Sequence, residues 1–288
     1  MKILIFGSNG QIGRELQRTL PFFGQIIPLE SEDCDLRDTK KLRDLLYAQA
    51  PSVIVNAAGC FPLNDMEEVR EAVFQVNANA PKIMADYSRY NGSLLIHYSA
   101  DDVFDGKKTD AYLENDEANP LNIFGQSKRA AEEFIQDAGC HHLIFRTNCI
   151  YSVHGSNFAK DFLNFSKDNT EFQIDNDSMG APTSAELIAD ITALAIMSWR
   201  TDMLPEGVYH LTASGRISRT EFSYYLLEKA RTSGINLKLE NITSVSNERR
   251  NACLNNDKLI KYLGFQMPDW KIHADRFISQ LIGRRFFY

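Results

Sequence analysis

Short apolar runs recur along the first half of the chain, each followed by glycine or a polar residue. Runs of this kind predict buried strands. The stretches between them carry apolar residues at helical spacing, such as Leu42, Leu45 and Leu46 within the predicted helix Thr39–Gln49. Alternating strands and helices predict right-handed βαβ units, and so an α/β fold with a Rossmann-type, doubly wound parallel sheet. The predicted strands are Lys2–Phe6, Gln25–Leu29, Ser52–Asn56, Leu94–Ser99 and Leu143–Thr147.

The first eighteen residues read as strand, glycine turn and helix. Gly7 permits a tight turn, Gly10 lets the backbone approach a pyrophosphate, and Gly13 lets the helix pack closely on the strand. The N–H groups at the start of that helix then face the phosphates. An ordinary βα turn is the alternative, but the position between strand and helix favours dinucleotide binding. The cofactor-binding candidates here are Gly7, Asn9, Gly10, Gln11, Ile12 and Gly13.

The ends of the next two strands supply further cofactor candidates. Glu30 follows the second strand, where a carboxylate can accept hydrogen bonds from ribose hydroxyls and repels a 2′-phosphate. That favours NAD over NADP, although Arg14 and Arg37 can offset the repulsion, so the preference between NADP and NAD stays open. Asp35 either lies near the adenine or caps the following helix. Leu36 adjoins it, and the small residues Ala57 and Ala58 let a cofactor cross the end of the third strand.

Beyond Tyr151 the pattern changes. A helix near Asn157–Lys167 and a turn at Asn176–Pro182 precede a helix over Ser184–Trp199 and a strand over Gly207–Leu211, and the remainder is helix-rich. We therefore expect a dinucleotide-binding domain over residues 1–149, completed by about 183–213. A smaller, helix-rich substrate-binding region over 150–182 and 214–288 is expected to close a cleft over it.

Composition and charge narrow the class of protein. Hydrophobic residues make up 44% and charged residues 24% of the 288 residues, an ordinary globular balance, and the formal net charge is −7. A negative balance argues against a nucleic-acid or membrane-surface partner. The N-terminal apolar run is too short for a signal peptide or a membrane span, so we expect a cytoplasmic protein.

The cysteines favour neither disulfides nor a metal. Their number is five and they are scattered, without a CxxC pair. Cys140, His141 and His142 are adjacent, and adjacent residues cannot all face one ion from a regular element. We therefore expect no metal.

Several segments occur in the same order in one known family, and through them the chain resembles the dTDP-4-dehydrorhamnose reductases, which are extended short-chain dehydrogenase/reductases. The resemblance covers essentially the whole length. It rests on Gly7–Gly13, Asn56-Ala57-Ala58, His97-Tyr98-Ser99, Pro120-Leu121-Asn122 with Gly125 and Lys128, Phe145-Arg146-Thr147, Asn157–Lys160, Gly180–Thr183 and Pro268-Asp269-Trp270.

The resemblance implies a Tyr-xxx-Lys pair, in which the tyrosine gives a proton to the substrate carbonyl and the lysine holds the nicotinamide ribose. Lys128 occupies the lysine position and is thus both a catalytic and a cofactor-binding candidate. Phe124, however, stands at the tyrosine position, and Ala100 stands where the family has a threonine or serine that fixes the carbonyl. Asp102 and Cys149 replace aromatic residues of the family. The cofactor half is retained and the proton donor is missing.

Asp102 is the one carboxyl group whose spacing could compensate. It follows Ala100 by two positions and can share its face of the strand, and a desolvated carboxylic acid can donate a proton. A solvated loop aspartate is the alternative. Ser99 points to the other face unless the strand bulges. Tyr98 and Tyr151 are weaker candidates for the proton donor, and we expect both to be packing residues.

On the substrate side, the resemblance places Asn157, Phe158, Arg250 and Asn251 around a nucleotide diphosphate. A guanidinium offers the bidentate donors that phosphates prefer. Without the family context, Arg249 and Arg250 read equally well as an exposed surface pair.

Two functions follow. The first is NAD(P)H-dependent reduction of the 4-keto group of a dTDP-4-keto-6-deoxy sugar. The second is a catalytically impaired protein that binds NAD(P) or a nucleotide sugar and acts as a regulatory or partner subunit. A nucleotide sugar is the expected ligand in both, and a homodimer and a complex with a partner protein are both open.

Overall fold

The computed structural model describes residues 1–61, 67–174, 177–245 and 250–283. Asn176 and Arg249, which the sequence analysis named, lie outside these ranges. The strands are β1 (Lys2–Phe6), β2 (Gln25–Leu29), β3 (Val53–Asn56), β4 (Leu94–Ala100), β5 (His142–Thr147), β6 (Ile150–Tyr151), β7 (Glu171–Ile174), β8 (Met179–Gly180), β9 (Thr183–Ser184), β10 (Gly207–His210), β11 (Ile217–Ser218) and β12 (Asn241–Ser244). The α-helices are α1 (Gln11–Thr19), α2 (Thr39–Gln49), α3 (Glu67–Phe74), α4 (Ala80–Asn91), α5 (Ile123–Ala138), α6 (Phe158–Phe165), α7 (Ala185–Arg200), α8 (Arg219–Thr232), α9 (Asp257–Leu263) and α10 (Trp270–Gly283).

Six strands form one parallel sheet in the order β10-β5-β4-β3-β1-β2. The predicted doubly wound sheet is therefore confirmed. Its strand order reverses between β1 and β3, and doubly wound sheets bind their ligands at such a switch point, beyond the carboxyl ends of the strands. β2 is an edge strand, and it contains Pro28, which lies opposite Ile5 of β1.

The apolar runs in the sequence arise because both faces of the sheet are covered. Side chains alternate between the faces with a period of two. Ile3 and Ile5 of β1 belong to the hydrophobic core on one face, whereas Leu4 and Phe6 belong to the core on the other. Helices α1 and α7 pack against each other, as do α4 with α2 and α5.

The chain beyond β5 both completes the sheet and builds the wall of a cleft. β10 pairs in parallel with β5. The short pairs β6 with β9, β8 with β11 and β7 with β12 lie outside the main sheet, next to α6, α8 and α10. This region contains β12 and several short strands besides its helices, so it is less purely helical than the sequence pattern indicated.

The helical segment between β3 and β4 contains a π-helical turn at Gln75–Asn79, between α3 and α4. Asn77 lies in this turn and is buried. Its amide donates to Cys60 O at 2.8 Å and to Ser127 Oγ at 3.0 Å, and its Oδ1 accepts from the Cys60 N–H at 2.8 Å. Asn77 is therefore a fully satisfied buried side chain that joins the end of the β3 loop to α5.

Candidate functional site

The glycine turn between β1 and α1 leaves no room for side chains at two of its positions. Gly7 has φ +73°, and a Cβ there would lie 2.7 Å from the backbone of Ala58. A Cβ on Gly13 would lie 2.1 Å from Gly7 O. The N-cap of α1, Gly10, supplies no side-chain hydrogen bond to the helix start. The first N–H groups of α1 therefore point at the switch point without a side-chain cap, as an anion site requires.

A cavity of about 430 Å³ opens beside this turn. The carboxyl end of β2 contributes Glu30, whose carboxylate accepts from Asn9 Nδ2 at 3.3 Å. Asp35 and Arg37 form an ion pair at 2.6 Å, and this hydrogen bonding lowers the pKa of Asp35. Leu36 also lines the cavity. A carboxylate and a guanidinium thus both lie at the end where a ribose and its 2′-substituent would sit.

A second, larger cavity of about 780 Å³ adjoins the first, since Ala57, Ala58 and Gly59 line both. Its wall also contains Gln11 and Ile12 from the start of α1. The two cavities form one continuous cleft across the carboxyl ends of β1, β3 and β4. We call the first the adenosine cavity and the second the reaction cavity.

Lys128 lies in the wall of the reaction cavity, and α5 positions it there. The helix begins after Asn122, whose Oδ1 accepts from the Gly125 N–H at 2.7 Å. Lys128 Nζ donates to Tyr98 O at 2.9 Å, and burial lowers the pKa of Lys128 to about 8. A Cβ on Gly59 would lie 3.6 Å from Nζ, so the glycine keeps the approach to the ammonium open.

Phe124 lines the same cavity one helical turn before Lys128, as the spacing predicts. The Lys128 ammonium lies 5.7 Å from the Phe124 ring centroid, and the ring centroids of Phe61 and Phe124 are 4.9 Å apart. The two rings and the ammonium form a cation–π and aromatic cluster. The position that would carry a phenol therefore presents only an apolar ring.

The end of β4 brings Ala100, Asp101 and Asp102 to the reaction cavity. Asp102 is in a 3₁₀ turn, Asp101–Val103. Its carboxylate accepts from Asn122 Nδ2 at 3.0 Å and lies 3.5 Å from the Arg250 guanidinium. Asp102 is therefore a bonded part of the cavity wall, and a role as an acid stays a prediction.

Asp101 was not singled out from the sequence, yet it is the more deeply buried of the two carboxyl groups. Burial, reinforced by the neighbouring Asp102, raises the pKa of Asp101 to about 6. Arg250 Nη1 donates to its Oδ2 at 2.7 Å. The adjacent pair of aspartates in the sequence was the available signal, since two neighbouring carboxylates perturb one another when one is buried.

The tyrosines considered as alternative proton donors are packing residues. Tyr98 Oη pairs with Thr192 Oγ1 at 2.8 Å, and burial raises the pKa of Tyr98. Tyr151 packs between Phe222 and Phe277, with ring centroids 5.6 and 5.3 Å away. The oxygen of Ser99 is buried and has no partner among the described residues.

The predicted substrate residues separate into two groups. Asn157 and Phe158 line the reaction cavity, but Asn157 is the N-cap of α6 and its amide bonds to the Lys160 N–H and to Ser152 O. Arg250 and Asn251 lie behind the wall. The Asn251 amide donates to Lys108 O and Asp110 O, both at 2.7 Å. Direct contact of Arg250 or Asn251 with a diphosphate stays a prediction.

Arg219, the first residue of α8, was missed by the sequence analysis and lines the reaction cavity. Its guanidinium carbon lies 5.0 Å from the centroid of the Phe158 ring. No sequence motif marks this residue. The only local signal is its place directly after the capping residue Ser218.

Within the described ranges, no helix has the length and apolar character needed to cross a bilayer. Across the same ranges, no group of three or more His, Cys, Asp or Glu side chains is arranged to hold a metal ion.

The parallel sheet, its switch point and the glycine turn define a protein of the Rossmann-like reductase fold. The chain belongs to the dTDP-4-dehydrorhamnose reductase family, and the model of the RmlD substrate binding domain matches residues 1–282. The resemblance read from the sequence motifs is thereby confirmed.

Relatives and solved structures match over nearly the full chain. The dTDP-4-dehydrorhamnose reductase of Shigella flexneri is 35% identical over 293 residues, covering 98% of each chain. The structure of a dTDP-4-dehydrorhamnose reductase from Clostridium acetobutylicum superposes with a TM-score of 0.87 at 29% identity, covering 98% of this chain and 99% of that one. The Bacillus anthracis dTDP-4-dehydrorhamnose reductase, solved in complex with NADP, gives 0.86 at 27% identity, covering 97% and 99%.

Proposed function

We propose that this protein is a dTDP-4-dehydrorhamnose reductase, which uses NADPH or NADH to reduce the 4-keto group of a dTDP-4-keto-6-deoxy sugar. The observation that carries the proposal is the buried Lys128 in a cleft that continues from the glycine turn. Full-length similarity to named reductases supports the substrate class.

A nicotinamide dinucleotide fits the residues present. The absence of Cβ atoms at Gly7 and Gly13 creates a cradle that side chains would fill. The uncapped start of α1 suits a pyrophosphate, and Glu30, Asp35 and Leu36 suit an adenosine. When bound, the reduced nicotinamide supplies a hydride. Glu30 favours NADH, whereas Arg37 beside it can accept a 2′-phosphate of NADPH.

Lys128 supplies charge and hydrogen bonds in the reaction cavity. An ammonium has three donors and one is used by Tyr98 O, which leaves two for ribose hydroxyls or for the substrate oxygen. With its pKa lowered to about 8, the group is mostly charged at pH 7 and stabilises negative charge that develops on a carbonyl oxygen.

Reduction of a ketone also consumes a proton, and Phe124 has none to give. The carboxyl and ammonium groups in the cavity wall are those of Asp101, Asp102, Asp161 and Lys128. Asp102 is the candidate from the sequence, and a carboxylic acid there would deliver its proton to the alkoxide oxygen and become a carboxylate. Asp102→Asn leaving turnover unchanged would remove it from this role.

The proposal also covers the roles of the two regions of the chain, the cellular location and the assembly. Residues 1–149 with about 183–213 would bind the cofactor, and 150–182 with 214–288 would bind the nucleotide sugar. We place the protein in the cytoplasm, where it acts as a homodimer or with a partner protein.

The absent hydroxyls at Phe124 and Ala100 favour one competing function, a protein that binds both ligands without turning them over. The deciding experiment mixes the protein with NADPH or NADH and dTDP-4-dehydrorhamnose and follows absorbance of the reduced nicotinamide. Phe124→Tyr with Ala100→Thr runs alongside, and restoring a proton donor should raise the rate about 10²–10⁴-fold.

Measurable turnover by the unmodified protein would support the reductase. Turnover seen only after the double substitution, together with tight cofactor binding by the unmodified protein, would show that the chain is a binding protein on a reductase frame. Phe124→Leu with Ala100→Val serves as the matched control, because it changes the same two side chains without adding a hydroxyl.

A further inference from the structure

Arg219 presents a guanidinium in the wall of the reaction cavity that no carboxylate neutralises within the described ranges. The guanidinium carbon lies 5.0 Å from the centroid of the Phe158 ring, a cation–π contact, and the side chain lies near the Cys149 thiol. A cation–π contact holds the guanidinium beside the ring and leaves its N–H groups available to a ligand. Phe158 and Cys149 also line the cavity, so the guanidinium adjoins open space.

Apart from Lys128, whose free donors were described above, the other cationic side chains around this wall are already used by the protein. Arg250 donates to the Asp101 carboxylate and to the carbonyl oxygens of Asp101 and Phe104. Lys160 donates to Gly155 O at 2.7 Å. Arg146 is buried and bound by both oxygens of Glu132.

The carboxylates in the wall are partnered as well. Asp101 binds Arg250, Asp102 accepts from Asn122, and Asp161 accepts from Ser156 Oγ at 2.7 Å. The positive charge of Arg219 is therefore available to a ligand. Among the described residues, the wall of the reaction cavity thus carries one guanidinium, besides the Lys128 ammonium, that is suited to an anionic group.

We propose that Arg219 binds the diphosphate of a nucleoside diphosphate sugar, the role that the family resemblance implied for Arg250. This inference rests on the proposed function for its ligand class. A planar guanidinium forms two parallel N–H···O bonds to phosphate oxygens. The cofactor's own pyrophosphate is served by the start of α1, so Arg219 is specific to the second ligand.

The test measures the Kd of dTDP and of NADPH separately by calorimetry, without any turnover. Arg219→Ala should weaken dTDP about 10- to 100-fold, the range for a charged hydrogen-bond pair, and leave NADPH unchanged. The dTDP affinity of Arg219→Lys should lie between those of Arg219→Ala and the unmodified protein, because lysine keeps the charge but cannot donate two parallel hydrogen bonds. Arg216→Ala is the matched control, since Arg216 is exposed, lies three residues away and does not line the cavity.

Alkylation of Cys149 reports where dTDP binds. Cys149 is an exposed residue of the cavity wall, whereas Cys34, Cys140 and Cys253 are buried and Cys60 is half-buried. Bound dTDP should slow modification of Cys149 by iodoacetamide, as read by peptide mass spectrometry, and the protection should disappear in Arg219→Ala at the same dTDP concentration.

Equal dTDP affinity in Arg219→Ala and the unmodified protein would overturn the inference. So would no measurable dTDP binding by the unmodified protein, or a parallel loss of NADPH affinity, which would assign Arg219 to the cofactor. A different set of results would contradict the reductase proposal alone. In that case dTDP and NADPH both bind and Arg219→Ala weakens dTDP binding, but no reduced nicotinamide is oxidised.

Discussion

At the scale of single residues, the chemistry of the reaction cavity depends on which side chains can donate a proton or a hydrogen bond. Phe124 and Ala100 have no polar hydrogen, whereas Lys128, in the same cavity wall, has a buried ammonium group. Desolvation disfavours the charged form of a lysine, which is the physical cause of its lowered pKa. This group is therefore the most pH-sensitive cation in the cavity near neutrality.

Cofactor affinity should follow the charge of Lys128. The ammonium is present below its pKa of about 8 and is lost as the pH rises through that value. We expect the Kd of NADPH to rise about five-fold between pH 7 and pH 9.5, because a charged donor becomes a neutral one. Fluorescence titration of NADPH at both pH values measures this.

The pH effect should vanish in Lys128→Met and persist in Lys40→Met, which removes an exposed lysine of α2. The same slope in Lys128→Met and the unmodified protein would assign the effect to another group.

The sequence analysis identified candidate site residues whose role depends on the chemistry of their own side chain. It missed residues whose environment is set by a partner far away in the chain. The three glycines and Glu30 are marked by their positions at the ends of predicted strands, and Lys128 is marked by the resemblance to a known family. Asp101 owes its environment to Arg250, which is 149 positions away in the chain. Arg219 has no carboxylate partner among the described residues, because the carboxylates of the cavity wall bind other groups. Contacts of this kind depend on the tertiary fold, and no local pattern encodes them.

At the scale of elements, the close packing of α1 on β1 gives the turn its shape. The helix approaches so closely that Gly13 faces Gly7 O with no space between them. The strands of the main sheet were predictable because burial on both faces leaves long apolar runs. The π-helical turn at Gln75–Asn79 was not predictable, because the apolar residues within it and on either side of it recur at steps of three and four, as they would in an unbroken α-helix.

Gly13→Ala should impair both folding and cofactor binding. The new methyl group would lie 2.1 Å from Gly7 O, so α1 must shift away from the strand. We expect a loss of about 1–3 kcal/mol in the free energy of unfolding, as for an overpacked core, and at least a ten-fold weaker Kd for NADPH. Urea denaturation and titration of NADPH measure the two effects.

Gly283→Ala is the control, because a Cβ there meets nothing within 4 Å. A Gly13→Ala variant that binds NADPH normally would show that α1 can move without disturbing the phosphate site.

At the scale of the whole molecule, polar groups buried between the layers make stability depend on pH. His210 of β10 is buried beneath Phe104 and near Arg146, and burial lowers the pKa of His210 to about 3. His97 of β4 is also buried, and its pKa is lowered in the same direction. Both are neutral in the folded protein at pH 7.

Stability should therefore fall on acidification. In the unfolded chain a histidine takes up a proton below about pH 6.5, while folded His210 resists protonation down to about pH 3. The stability contributed by its neutral form is complete above pH 6.5 and is lost as the pH falls toward 3. We expect a slope of about 1 kcal/mol per pH unit for each such histidine between pH 6 and pH 4.5.

Urea denaturation at pH 7, 6 and 5 measures this slope. Replacing His210 by Asn should reduce it, whatever the substitution does to stability at pH 7. An unchanged slope in His210→Asn would mean that acid sensitivity arises from groups other than this histidine.

The proline in β2 affects whether the edge of the sheet can pair with a strand of another copy of the chain during folding. An edge strand exposes unpaired N–H and C=O groups that another chain can extend into a continuous sheet. Pro28 lacks an N–H and stands in that edge, so a strand docking there would meet a gap in its hydrogen-bond ladder. The open edge beside the adenosine cavity is thus protected from intermolecular β-pairing by the covalent structure of one residue.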